Sequence, residues 1–431
     1  MSTGRAVHPL AAPPSVTLVA PGSKSHTNRA LVCAGLAHGA SVLRGALFAD
    51  DTLAMVDALR ALGAGIELDP ADRSMRVDGV AGRPADGPVT LDVRQSGTTG
   101  RFLLAVLALG HGRYTLDGDP QLRARPMAPL AGALRRLGVR VEGDHLPITV
   151  HGAGLPAGEV AVDGAVSSQF LSALLLAAPG AVPGASAHEL GITLAGPLVS
   201  RPYVDLTVST MGDFGVTVER PEPNRFLVAP QAYRGVAVAI EPDASAASYL
   251  FAAAAVTGGR VRVDGLGRTT RQGDLGFVDV LARMGAEVEM TDTSTEVRGS
   301  GRLRGITVDM ADISDTAPTL AVVASFADSP TTVTGVGFIA AKETDRITAV
   351  VTELNRRGIT AVATDDGFVV EPSAPVPGVV ETYDDHRMAM SFALLGLVHP
   401  GIVIADPDCV AKTFPDYFAV LNQLGPTVPA R

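Results

Sequence analysis

Six stretches of the chain are apolar on every side, and each is led in by small polar residues. They read RALVCAGLA, RFLLAVLAL, FLSALLLAA, ASYLFAAAA, PTLAVVASF and MAMSFALLG, with leads near Ser25, Gly97, Ser168, Asp243, Asp315 and Asp385. The separations are 72, 71, 75, 72 and 70 residues, so the pattern is an internal repeat with a period close to 72. A helix with no polar face is buried all round, and each repeat is therefore expected to give one interior helix.

A second series runs out of phase with the first. The amphipathic stretches MVDALRALG, LAGALRRLG, TVSTMGDFG, FVDVLARMG, VVTELNRRG and FAVLNQLG end at Gly63, Gly138, Gly215, Gly285, Gly358 and Gly425, where glycine suits the left-handed residue after a helix. After the first five, apolar and polar residues alternate as in half-buried strands; the sixth runs into Pro426 instead. Each repeat thus predicts two helices and several strands, which makes the fold α/β. Six repeats divide three and three at a break near Ile240, giving one domain over 22–240 and a second over 1–21 and 241–431. Three interior helices lying side by side with N-termini aligned repel at like ends. An anion there offsets the repulsion, each terminus being worth about 0.3 to 2 kcal/mol to it. A cleft between two such domains is expected to draw a multiply charged anion.

Length and composition narrow the reading. A chain of 431 residues is too long for one core, and 46% hydrophobic residues suffice for two. A net charge of −10 with only 4% aromatic residues argues against a nucleic-acid surface, which needs basic stripes and stacking rings. Cys33 and Cys409 make neither a disulfide framework nor a zinc quartet and fit a reducing compartment. With no apolar leader in MSTGRAVHPLAAPP and no run long enough to span a bilayer, a cytoplasmic protein without membrane contact is expected. Of the 35 basic residues, 32 are Arg and only Lys24, Lys342 and Lys412 are Lys. A chain that writes its cations as Arg keeps a Lys where a compact charge or a removable proton is needed.

Those lysines fall among the polar leads of the interior helices. Lys24, Ser25 and Arg29 stand in P-G-S-K-S-H-T-N-R, a tight loop before a helix with Ser25 as its expected N-cap; the spacing is not that of a Walker loop. R-Q-S-G-T-T-G-R supplies Ser96, Gly97, Thr98 and Arg101, and Arg125 follows. Then come Ser167, Ser168 and Gln169 in V-S-S-Q, and Ser200, Arg201 and Tyr203 in L-V-S-R-P-Y. In D-I-S-D-T-A-P, Asp315 opens an interior helix, where a carboxylate either caps it or takes a proton from a hydroxyl. A-A-K-E-T-D-R carries Lys342, Glu343, Asp345 and Arg346. Its like-charge pair at i and i+4, avoided on a solvated helix face, suggests a clamp for an anion. D-D-H-R-M-A-M places Asp384, Asp385, His386 and Arg387 at the mouth of the sixth interior helix, and no second His nearby in sequence favours a metal there.

Taken together, P-G-S-K-S-x-T-N-R, V-S-S-Q-F, L-V-S-R-P-Y, A-K-E-T-D-R and D-D-H-R-M-A-M resemble the enolpyruvyl transferases, in order and over nearly the whole chain, and within them the branch acting on shikimate 3-phosphate. The resemblance implies two domains of three βαβαββ repeats, an inside-out α/β barrel in each, closing over small-molecule substrates. It implies transfer of the carboxyvinyl group of phosphoenolpyruvate to the 5-hydroxyl of shikimate 3-phosphate, with release of phosphate, by a monomer without metal or cofactor. Shikimate 3-phosphate would use Lys24, Ser25, Arg29, Ser167, Ser168, Gln169, Ser200, Tyr203, Asp315 and Lys342, mainly on the first domain. Phosphoenolpyruvate would meet Lys24, Gly97, Arg125, Gln169, Arg346, Arg387 and Lys412. Asp315 would be the base and Glu343 the acid, with Lys24 and His386 completing the catalytic set. Lys342 and Arg346 are expected to hold Glu343 ionised until substrate charge and desolvation oppose them. Gln95, Phe102 and Phe338 depart from the family pattern of Asn, Pro and Asn. The related enzymes acting on UDP-N-acetylglucosamine pair the first Lys with Asn and carry Cys where this chain has Ser25 and Pro120 respectively, which counts against that acceptor; it remains, with a shikimate-like analogue motivated by Gln95 and Phe338, the alternative.

Overall fold

The computed structural model describes residues 4–184 and 187–428. All six apolar stretches are helices, over Lys24–Leu36, Gly97–Val106, Ser168–Ala177, Ala244–Thr257, Ala317–Ala324 and His386–Gly396. They are interior over most of their length: every residue from Phe102 to Ala108 and from Leu320 to Ala324 has no exposed surface. The contacts divide the chain into two units, Gly22–Glu241 and Met1–Pro21 with Pro242–Arg431, each with its own core.

Each unit packs its three interior helices against one another and covers them with three small sheets. One repeat shows the wiring. Val89–Asp92 pairs in parallel with His111–Asp117 across the Gly97–Val106 helix. His111–Asp117 pairs antiparallel with Ile148–Ala153, and that strand with Arg140–Glu142. The order recurs from Gly158–Asp163 to Arg225–Val228 and from Thr307–Asp309 to Gly367–Val370, so the repeat is βαβαββ. Parallel pairing needs a crossover, and the interior helix is that crossover.

Two strands cross between units in sequence. Ser15–Leu18 precedes the first interior helix yet pairs with Arg260–Asp264 of the other unit's sheet. Ala237–Ala239 precedes the fourth helix yet pairs with Ala40–Arg44. In the sixth repeat Gly378–Val380 and Ile402–Ile404 pair in parallel, and Arg5–Val7 lies antiparallel to the latter, filling the place of the missing hairpin. This explains why no alternating strand follows the last amphipathic stretch.

The glycines after the first five amphipathic helices are left-handed, with φ of 101°, 91°, 83°, 111° and 77° at Gly63, Gly138, Gly215, Gly285 and Gly358. Gly425, at φ 148° after a short Tyr417–Leu421 helix and a 3-10 turn, does not repeat that cap. The repeat period also appears in three dimensions. Ser248 lies 3.2 Å from Thr319, and Thr319 lies 3.4 Å from Ser391, a chain of hydroxyls joining the three interior helices of one unit. Among the described residues no helix is long and apolar enough to cross a membrane.

Because these helices have no solvent face, truncation anywhere along them opens a cavity. Leu104→Ala, at a fully buried site, is expected to lower unfolding free energy by about 2 to 5 kcal/mol in urea titrations. A loss under about 0.5 kcal/mol would show that the site is not core.

Candidate active site

In the Gly22–Glu241 unit the first interior helix starts two residues earlier than expected. Ser23, not Ser25, is the N-cap: its Oγ accepts the His26 amide at 3.3 Å. Lys24 and Ser25 therefore sit inside the first turn, where side chains flank the free amides. Lys24 Nζ is 3.4 Å from Asp51 Oδ2, on the Asp50–Ala61 helix. The Asp51 backbone carbonyl in turn accepts Ser96 Oγ at 3.3 Å and Thr99 Oγ1 at 3.2 Å, tying the start of the second interior helix to the first. The sequence reading passed over Asp51; its signal was the acidic pair Asp50–Asp51 opening a helix.

Arg29 is only 2% exposed. Its Nε donates to Thr207 Oγ1 at 2.7 Å, Nη1 to the Ser25 carbonyl at 2.8 Å and Nη2 to the Tyr203 carbonyl at 3.0 Å. Among the described residues these hydrogen-bond acceptors are all uncharged. Phe102 and Tyr203 lie against the guanidinium, with centroids at 5.2 and 5.8 Å. Burial pulls the Arg29 pKa down to about 10, Tyr203 and Cys33 opposing it. The departure at Phe102 thus has a place: its ring shields this cation.

The second and third helix starts are stitched together by Arg101. It donates to Gln169 Oε1 at 2.7 Å and Ser167 Oγ at 3.3 Å, while Gln169 Nε2 donates to Thr98 Oγ1 at 3.1 Å. Ser167 caps the third helix and Ser168 is buried in its first turn. Gly97 is glycine for a local reason: a Cβ there would stand 2.6 Å from Arg125 Nη1. Arg125, itself buried to 6%, is thereby laid against the backbone at the helix N-terminus. Ser200 is left-handed, at φ 52°, and starts the Arg201–Asp213 helix that carries Tyr203. Gln95 donates to Gln121 Oε1 at 2.8 Å.

The other unit holds a denser cluster. Arg346 is fully buried and donates through Nε to Asp385 Oδ2 at 2.8 Å, through Nη2 to Glu343 Oε2 at 2.7 Å, and through Nη1 to Asp315 Oδ1 at 3.3 Å. Arg387 Nη2 donates to Asp315 Oδ2 at 2.6 Å, and Lys342 Nζ is 3.9 Å from Asp315 Oδ1. Burial works against the Arg346 charge, but Asp385, then Glu343 and Asp315, outweigh it and raise its pKa. Burial also lifts the Tyr249 phenol to about 12 against the pull of Arg387, whose Nη1 it meets at 3.4 Å.

Two expectations need correcting here. Asp315 neither opens nor caps a helix: it lies in the 3-10 turn Ala311–Thr316, turned toward three cations. Lys342 and Arg346 are not neighbours on one helix face either. Lys342 follows a 3-10 turn and Arg346 begins the Arg346–Arg356 helix, and both face Asp315. Asp385 is the N-cap of the His386–Gly396 helix and accepts the Arg387 amide at 2.9 Å. His386 is buried with Nδ1 3.5 Å from Asp385 Oδ1. Lys412, 5% exposed, ends a turn packed on the same helix. Phe338 sets its ring 5.8 Å from Lys342 Nζ, an apolar face where the family pattern has an amide. Ahead of Asp385, Tyr383 and Asp384 are both left-handed, with φ of 55° and 53°, a conformation costing about 1 to 3 kcal/mol for each such residue. Among the described residues no three of His, Cys, Asp and Glu gather as metal ligands would.

Cations and polar groups ringing the N-termini of interior helices, with two carboxylates beside the cations, are equipped to hold a polyanion and move a proton next to it. The repeat architecture that carries them is that of the enolpyruvyl transferases. The NikO enolpyruvyl transferase of Streptomyces tendae shares the fold, at a TM-score of 0.78 over 99% of each chain with 20% identity. A model of one family within that class, EPSP synthase (3-phosphoshikimate 1-carboxyvinyltransferase), matches residues 12–421, and the chain belongs to that family. The 3-phosphoshikimate 1-carboxyvinyltransferase of Nostoc punctiforme is 46% identical over 417 residues, covering 96% of this chain and 97% of that one. The EPSP synthase of Acinetobacter baumannii superposes with a TM-score of 0.82 at 26% identity over 99% of both chains.

The fit of Arg125 on Gly97 is directly testable. A crystal structure of Gly97→Ala is expected to show the Arg125 guanidinium displaced from the helix N-terminus with the fold unchanged. An unmoved Arg125 would mean that the contact is not what holds it.

Proposed function

We propose that this protein transfers the carboxyvinyl group of phosphoenolpyruvate to the 5-hydroxyl of shikimate 3-phosphate, releasing phosphate, in the cytoplasm. Family membership supports the reaction. The observation that carries the residue assignment is the buried meeting of Asp315 and Glu343 at Arg346, with Arg387 and Lys342 on Asp315.

The chemistry is addition followed by elimination. Asp315 takes the proton of the acceptor hydroxyl as its oxygen bonds to C2 of phosphoenolpyruvate, while Glu343 gives a proton to C3. The adduct then loses phosphate by cleavage of the C2–O bond and a proton from the new methyl group, which restores the double bond. Both carboxylates are engaged by cations, and the phosphate and carboxylate of the donor are suited to take those cations over. Arriving substrate then frees the acid and the base together.

The two units supply complementary sets. Ser25, Arg29, Ser167, Ser168, Gln169, Ser200 and Tyr203 serve shikimate 3-phosphate in one unit, beside the donor-binding Lys24, Gly97 and Arg125. In the other, Arg346, Arg387 and Lys412 serve the donor, and Lys342 and Asp315 the acceptor, with His386 in the catalytic set. Arg29 suits an anionic acceptor because its charge is desolvated among uncharged partners. Ser25 and Pro120 disfavour a UDP-sugar.

Phosphate release with phosphoenolpyruvate and either shikimate 3-phosphate or UDP-N-acetylglucosamine tests the acceptor: turnover only with the UDP-sugar would refute the proposal. Glu343→Gln is expected to lower kcat by at least about a hundredfold while calorimetry finds shikimate 3-phosphate bound as before. Turnover within about threefold of the parent would remove Glu343 from the acid role. Lys24→Arg keeps the charge but cannot reproduce a compact ammonium in the first helical turn, so a loss of at least about tenfold in kcat/KM is expected. A variant of near-normal rate would show that charge alone suffices.

A further inference from the structure

The segment leading into Arg387 is gripped from outside the cationic cluster. Glu353 has no exposed surface and sits two turns along the Arg346–Arg356 helix from Arg346, on the same face. Its Oε1 accepts the Tyr383 hydroxyl at 2.8 Å and Arg356 Nη1 at 2.7 Å, and its Oε2 accepts the Glu381 amide at 3.1 Å. One helix therefore holds the chain at residues 381 and 383 through Glu353 and at residue 385 through Arg346. Between those holds lies the left-handed pair Tyr383 and Asp384, closed by the Asp385 amide on the Thr382 carbonyl at 2.9 Å. Two successive side-chain-bearing residues in that region persist only where neighbours over-determine them. Burial, then the bond to Glu353, lifts the Tyr383 phenol to about 12, so it stays a donor at neutral pH. Two residues beyond Asp385, Arg387 reaches Asp315.

We propose that Glu353 and Tyr383 are positioning residues that keep the Tyr383–Asp384 turn wound, and so hold Arg387 in place for phosphoenolpyruvate. The proposal rests on the reaction assigned above. Neither residue needs to touch substrate. The buried carboxylate accounts for the two bonds on the turn, and the exposed Arg356 supplies its counter-charge.

Tyr383→Phe deletes one donor and keeps the ring. Glu353→Gln keeps the shape but presents an amino group where two acceptors are needed. In hydrogen–deuterium exchange of the full-length protein, residues 381–388 are expected to exchange at least about fivefold faster in both variants, with residues 243–250 unchanged. Protection equal to the parent's, or lost to the same extent in both segments, overturns the grip whether or not the chain is active. In steady-state kinetics the KM for phosphoenolpyruvate is expected to rise at least about fivefold more than that for shikimate 3-phosphate. A smaller difference, or a fall in kcat with both KM values unchanged, overturns the link to the donor. Should Glu353→Gln fail to fold, Tyr383→Phe decides alone. Should the parent release no phosphate with any acceptor, the reaction is refuted, and the exchange data still judge the grip.

Discussion

A single interior guanidinium organises the cluster of the unit that contains Pro242–Arg431. Arg346 is surrounded by Asp315, Glu343 and Asp385, which come from a 3-10 turn, a loop and a helix cap respectively. Of the three, Asp385 is wholly buried with Arg346, and removing one partner of such a buried pair costs about 3 to 5 kcal/mol. The same contacts that hold the elements together hold the proposed acid and base within reach of one cation. Structure and chemistry are thus joined at one side chain.

Arg29 in the other unit is the opposite case. Its acceptors are neutral, and burial pulls its pKa below the usual guanidinium range, to about 10. For a base with a lowered constant, the fold penalises the charged form. That penalty is complete below the folded value and is relieved as pH rises between the two values. At neutral pH the unit therefore carries a cation whose charge an acidic ligand would satisfy. One unit meets its charges internally, and Arg29 depends on what binds.

Most of the architecture was legible because burial imposes periodicity. Helices with no polar face recur every 72 residues or so, and glycine follows five of the amphipathic ones in the left-handed region. What stayed hidden depended on contacts across the chain. Ser25 resembles a cap as much as Ser23 does, and only the Ser23 bond to the His26 amide separates them. The spacing of Lys342 and Arg346 suggested one helix face, whereas a chain bend and a shared acceptor bring them together. Asp51 and Glu353 look like ordinary helix acids until Lys24 and Tyr383 are seen beside them. The use of Arg5–Val7 to finish the last sheet joins the two ends of the sequence, which no local pattern reveals.

The exchanged strands fix an order of events during synthesis. Gly22–Glu241 is one uninterrupted stretch, and its last strand, Ala237–Ala239, has its partner Ala40–Arg44 already made when it is translated. The Ser15–Leu18 and Arg5–Val7 segments have no such option. They are translated ahead of their partners, and pair only once Arg260–Asp264 and Ile402–Ile404 are made. These segments are thus made long before their partners, and a nascent chain must keep them from pairing elsewhere.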